Sequence, residues 1–198
     1  VKENPLDFSP IPRGQKGLSP HHMALVALFA VLTAVGAFIR VPLPFVPFTL
    51  QFFFCALGGL LLGSRLGSYA QVVYMAMGLL GLPVFSGGGG IQSLLRPSFG
   101  YIVGFVAAAW VIGRLGEREK LPWTFWSATR ATLAGLGVLY LVGVPWLWAV
   151  YSWYLNDPKP LSWAVTYGFL IFLGGDLVKT ALAAFVACRM GVLRKGRG

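Results

Sequence analysis

Between Leu161 and Cys188 the chain carries only two charged residues, Asp176 and Lys179, inside the run GGDLVKTAL. Spaced i, i+3 on a helix, an acid and a base share one face and can pair or jointly meet a ligand. In hydrocarbon each such charge costs roughly 2.5–3.5 kcal/mol on insertion scales, so a cavity, a partner or a pathway is expected to compensate it. A purely structural alternative has Gly174 and Gly175 breaking the chain, Asp176 capping the last helix near the surface and Lys179 snorkelling outward. The two readings are compatible, because an Asp at a helix start can also accept from a ligand's N–H groups.

Two loops carry further candidate groups. In FSGGGGIQSLL the consecutive Gly87, Gly88, Gly89 and Gly90 let a backbone approach a ligand closely, with Phe85 beside them. Their amides can also receive an anion, and a slack connecting loop is the plain alternative. In RVPLPFVPFTLQ, Pro42, Pro44 and Pro47 stiffen an extended segment, and Thr49 and Gln51 offer hydrogen-bonding groups at its end. The aromatic run PWLWAVYSWYL reads as an interfacial belt, with walls for an apolar ligand as the sharper alternative.

Other chemistries lack their residues. There is no G-x-x-x-x-G-K-[ST] phosphate loop, no H-E-x-x-H and no G-x-S-x-G, and the only histidines are His21 and His22. Asp176 is the sole acid in any expected span, so no carboxylate dyad can form there. Cys55 and Cys188 have no metal-site or disulfide spacing and read as small apolar core residues. No catalytic residue, metal site or cofactor is expected.

The elements that must position these residues are membrane helices. Hydrophobic residues make up 57% of the 198 residues and charged ones 11%, with mean hydropathy +0.72, where soluble domains run nearer half and a quarter. A hydrocarbon core of about 30 Å takes about 20 helical residues. On that ruler an all-α bundle of six spans is expected, near His22–Ile39, Pro47–Gly63, Gly67–Leu82, Phe99–Gly116, Arg130–Leu155 and Gly174–Val192. Residues 1–21 read as a polar, Pro-rich tail without the apolar core of a signal peptide, 22–192 as one membrane domain, and 193–198 as a basic tail. Ala27, Ala30 and Ala34 form a small-residue stripe on the first span that lets another helix come close, whether internal or from a separate subunit.

The net charge of +10 does not point to nucleic acid, because the basic residues lie at span ends and form no single patch. Six spans put both termini on one side. Placing that side in the cytoplasm gathers twelve lysines and arginines there, against Arg40, Arg96 and Lys159 outside. Both unusual loops then face outward, as does the entrance to the last span.

The segments VPLPFVPFTLQ, GLPVFSGGGG, GYIVGF from Gly100 and GDLVK from Gly175 occur in an order and spacing that resemble the BioY family of biotin transporters. The likeness runs from about Ala24 to Ala187. It implies a six-helix substrate-binding component of an energy-coupling factor transporter, set in a prokaryotic plasma membrane and capturing biotin from outside. It also implies a transmembrane coupling subunit and cytoplasmic ATPase subunits as partners, with the alanines of the first helix on the docking face. Asp176, Lys179 and the Phe85–Gly90 loop match positions associated with the biotin pocket; Gln51, for its amide, and Tyr101, for its ring, are expected as further contacts on their own chemistry. The chain departs from the family's G-P-T-G-G-Y, reading RPSFGY from Arg96 to Tyr101, which leaves the shape of that loop open.

Biotin's ureido ring offers two N–H donors and one carbonyl. An ionised Asp176 can accept from the former, and Lys179 can donate to the latter while neutralising the acid. Phe85 and Tyr101 can cover the thioether ring. Three other readings remain at this stage: another vitamin on the same scaffold, an intramembrane acid–base enzyme, and a structural membrane protein in which the pair only caps a helix. A second copy of the chain is a further open partner.

Overall fold

The computed structural model describes residues 19–118 and 124–195, with side chains to 190. The expected tails, 1–21 and 193–198, lie largely outside them, although Pro20 and His21 already belong to the first helix and the backbone of the last runs to Lys195.

Helix α1 spans Pro20–Phe38, opened by Ser19, whose side chain accepts from the His22 N–H, and by a proline in the first turn. A short antiparallel ribbon follows, β1 (Arg40–Val41) against β2 (Phe48–Thr49), with Arg40 opposite Thr49 and Val41 opposite Phe48. The all-helical expectation missed this ribbon, in which the three prolines occupy the connection. Helix α2 (Gln51–Leu79) leads into the Gly-rich loop and a 3₁₀ turn, Ile91–Leu95. Helix α3 spans Phe99–Gly116. Helix α4 (Phe125–Ala149) continues as a π turn over Val150–Tyr154. A short α5 (Leu161–Val165) joins α6 (Ile171–Lys195) through a second π turn, Thr166–Leu170.

Among the described residues five helices are long and apolar enough to cross a membrane. The chain is therefore a mostly helical, multi-pass membrane protein. The segments expected as second and third spans both lie in α2. Its helical path is interrupted at Gly63, whose φ of 81° and ψ of −177° suit glycine alone. The chain reverses there. A Cβ built on Gly67 would sit 3.1 Å from the Gly59 Cα, and Gln51 Nε2 donates to the Tyr74 hydroxyl at 2.6 Å. Residues eight and twenty-three apart in sequence meet this way only if the two halves of α2 lie side by side and antiparallel.

Two other boundaries differ from expectation. Helix α4 starts at Phe125, ahead of Arg130, because Thr124 and Ser127 cap it reciprocally. The last helix does not break at Gly174-Gly175. It is continuous from Leu161, so Asp176 lies well inside it and is not a cap. Gly175 serves packing, since a Cβ there would fall 2.3 Å from the Phe48 ring.

The reversal in α2 is held by α3. Glu117, just past the end of α3, accepts from the Ser64 N–H at 2.8 Å and the Ser64 hydroxyl at 2.6 Å, and pairs with Arg114 at 3.3 Å. Partial burial pushes its pKa up, but the Ser64 hydrogen bonds and Arg114 outweigh this and hold the carboxyl below its ordinary value. Gly113 lets α3 touch the bend, where an added Cβ would fall 2.2 Å from the Ser64 nitrogen. Close backbone approach over small residues is the usual basis of helix packing in lipid.

Gly113→Ala is expected to destabilise the protein by roughly 1–3 kcal/mol, read as a lower melting temperature in detergent; an unchanged melt would contradict the contact. Because Glu117 has a lower pKa folded than unfolded, its contribution is complete above the ordinary carboxyl range and is lost as pH falls through its depressed value. Glu117→Gln should therefore melt below the parent at neutral pH, with the gap closing in acid. A constant gap across thermal melts at graded pH would argue against the assignment.

Candidate functional site

The ribbon, the start of α2, the Gly-rich loop with the 3₁₀ turn after it, α3, α4 and α6 surround one hollow. Asp176 and Lys179 both stand on its wall, 5% and 6% exposed. Lys179 does not snorkel outward. Its ammonium pairs with Asp176 Oδ1, donates to the Thr49 carbonyl at 2.8 Å and lies 4.0 Å from the centre of the Phe48 ring. The other carboxylate oxygen accepts from the Tyr140 hydroxyl of α4.

This cluster compensates its own charges and still has capacity to spare. An ammonium has three donors and a carboxylate about four lone-pair positions. Two donors are used by Asp176 and Thr49, and two acceptor positions by Lys179 and Tyr140. The group can thus offer both a donor and an acceptor to a neutral polar guest.

A second hydrogen-bond chain ties the hollow's walls together. The Thr49 hydroxyl donates to Gln51 Oε1 at 2.9 Å, Gln51 Nε2 to Tyr74, and Tyr74 to the Val84 carbonyl at 3.2 Å. Gln51, expected from sequence as a contact, lines the hollow but spends its amide in this chain. Tyr101 also lines it, and its hydroxyl donates to the Gly168 carbonyl in the second π turn at 2.7 Å. Its ring edge meets Tyr140. Such π turns are frequent at functional sites.

Phe85 and Gly87 reach the wall, whereas Gly88, Gly89 and Gly90 do not. Those three shape the loop instead. Phe85 and Gly88 exchange both backbone hydrogen bonds at 3.0 Å, a tight turn that Gly88 completes at a φ of 106°. Arg96 folds over Gly87, donating to its carbonyl, and lines the hollow beside Ser98 and Phe99.

The alanine stripe of α1 is divided. Ala30 and Ala34 are buried within this chain, in one cluster with Tyr74, Phe85 and Phe99. Their close neighbour is the α2 hairpin and not a separate subunit, which corrects the docking expectation for those two residues. Ala27 lies on the exposed side.

Sequence reasoning missed Tyr140 and Phe48. Phe48 sat within a motif already singled out, two residues after Val46 in VPFTLQ, but Tyr140 in an apolar stretch of α4 has no local signal. Only the packing of α4 against α6 brings it to Asp176.

The BioY family model matches residues 12–195. The chain belongs to the BioY family. Its relatives include a probable biotin transporter BioY of Lysinibacillus sphaericus, 44% identical over 85% of each chain. The biotin transporter BioY of Thermotoga maritima is 40% identical over 86% of this chain and 95% of that one. Among solved structures, the crystal structure of the S-component for biotin from an ECF-type ABC transporter superposes with a TM-score of 0.75 at 26% identity. It covers 90% of this chain and 95% of its own. Family and fold point to a transporter rather than an enzyme.

Tyr140→Phe removes the donor to a buried carboxylate, a loss of roughly 1.5–3 kcal/mol. The empty protein is expected to melt correspondingly lower. A variant as stable as the parent would show that Asp176 does not depend on the hydroxyl.

Proposed function

We propose that this chain binds biotin in the hollow and is the substrate-capture component of an energy-coupling factor transporter for biotin uptake. The observation that carries the reading is the Asp176–Lys179–Tyr140 cluster, buried on the wall of a hollow in a BioY-family fold. A ureido ring presents N–H donors beside a carbonyl. The spare lone pairs of Asp176 accept from an N–H, and the spare donor of Lys179 meets the carbonyl. Phe85, Phe172 and Tyr101 supply apolar walls for the thioether ring. Arg96 meets the carboxylate tail, a contact supported by its place on the wall and by the lack, among the described residues, of an acid paired with it.

The two halves of α2 count as separate crossings in this reading, giving six spans with both termini in the cytoplasm of a prokaryotic cell. The excess of basic residues at that face supports the orientation. The ribbon and the Gly-rich loop then lie outside, where biotin arrives. No nucleotide-binding loop is present in the sequence, so a coupling subunit and ATPase subunits supply the drive. Ala27 is the one alanine of the α1 stripe exposed for docking them.

Purified protein is expected to bind biotin, and Asp176→Asn to weaken that binding at least about tenfold, equivalent to ~1.4 kcal/mol, while remaining folded. Isothermal titration beside a thermal melt checks both. A well-folded Asp176→Asn protein that binds biotin as tightly as the parent would remove Asp176 from the site.

A further inference from the structure

Four buried side-chain polar atoms have no hydrogen-bond partner among the described residues: Gln71 Oε1, Ser93 Oγ, Asp176 Oδ1 and Thr180 Oγ1. Asp176 Oδ1 faces the Lys179 ammonium. Gln71 and Thr180 do not line the hollow. Ser93 does, at 1% exposure. A buried hydroxyl left unpaired is costly, so one kept against a binding hollow calls for a partner that arrives with the ligand.

The surroundings of Ser93 indicate which part of the ligand that is. Ser93 lies in the 3₁₀ turn after the Gly-rich loop, and its backbone is fully occupied. The N–H donates to the Gly90 carbonyl at 3.0 Å, and the carbonyl accepts from the Arg96 N–H at 3.1 Å. Arg96 stands one turn further on, half-buried, on the same wall as the hydroxyls of Ser86 and Ser98. Among the described residues its guanidinium has no carboxylate within ion-pair distance. This wall therefore has an unbalanced positive charge and donors, whereas the Asp176–Lys179 wall is balanced and offers both donor and acceptor. A ligand with a neutral polar ring and an anionic tail fits the two walls in one sense only.

We infer that Ser93 is a ligand contact, its hydroxyl donating to the tail carboxylate beside Arg96 and selecting for an anionic tail. The inference rests on the biotin reading of the same hollow. A hydroxyl donating to a carboxylate is a charge-assisted bond, stronger than a neutral one.

The test uses the full chain in detergent, titrated with biotin and with an analogue whose tail ends in a methyl group in place of the carboxylate. Ser93→Ala should weaken biotin about tenfold or more and leave the analogue's affinity as in the parent. The empty variant should melt no lower than the parent, because the deleted hydroxyl had no partner. Ser93→Cys, close in shape but a weaker donor, should fall between and serves if the alanine variant does not fold. Unchanged biotin binding, or an equal loss for both ligands, overturns the assignment. A parent that binds neither ligand defeats the biotin reading itself, and a parent that binds biotin as well as Ser93→Ala does defeats only the role of Ser93.

Discussion

An ion pair buried among lipid-facing helices constrains the rest of this structure. Neither Asp176 nor Lys179 is tolerable alone at such a place, and removing one partner of a buried pair leaves an uncompensated charge. The pair is held by three groups from two other elements: a hydroxyl from α4, and a carbonyl and an aromatic face from the ribbon. Each requires its element to approach α6 closely. Gly175 permits this on the ribbon side, since its missing side chain is the space that Phe48 fills. The small residue and the two charges thus act as one device, with the glycine placing the ring and the ring lying against the ammonium.

The same logic of close approach builds the scaffold around the hollow. In lipid, apolar surface gives little net drive for helices to associate, so packing and internal hydrogen bonds must do it. The α2 hairpin shows both. It turns at Gly63, is tied there by Glu117 through Ser64, and is bridged at its open end by Gln51 and Tyr74. One end of the hairpin is fixed by a carboxylate outside the membrane span and the other by neutral side chains within it. That division follows the cost of charge with depth.

Much of this was legible in the sequence, for physical reasons. Length and apolarity mark membrane helices because the bilayer sets both, so five helices fall where long apolar runs stand. Asp176 and Lys179 were legible because charge in such a run needs compensation, and both stand on the wall of the hollow. The glycine pair before them misled, because glycine marks either a break or a close contact, and only the position of Phe48 decides between them. The alanines of α1 misled in the same way. A small residue says that something comes near without saying whether that neighbour is this chain or another. Tyr140 could not be read at all, since its role depends on the packing of α4 on α6 and on no local spacing.

The pair's self-sufficiency bears on how a ligand can act. If Asp176 and Lys179 were unpaired without a guest, binding would gain the full cost of two isolated charges and release would be correspondingly slow. Instead the structure leaves only part of their hydrogen-bonding capacity unused. A guest then gains the difference between a partly and a fully satisfied cluster, enough for selectivity but far below the cost of stranding a charge in lipid. Lys179 is bonded to the ribbon backbone, and the ribbon is linked through Thr49, Gln51 and Tyr74 to the Gly-rich loop. Any movement that lifts the ribbon therefore weakens the support of the ammonium and loosens the opposite wall together. With biotin bound as proposed, capture and release would draw on the same few hydrogen bonds, and the neutral total charge of the pair would allow them to be exchanged inside a membrane.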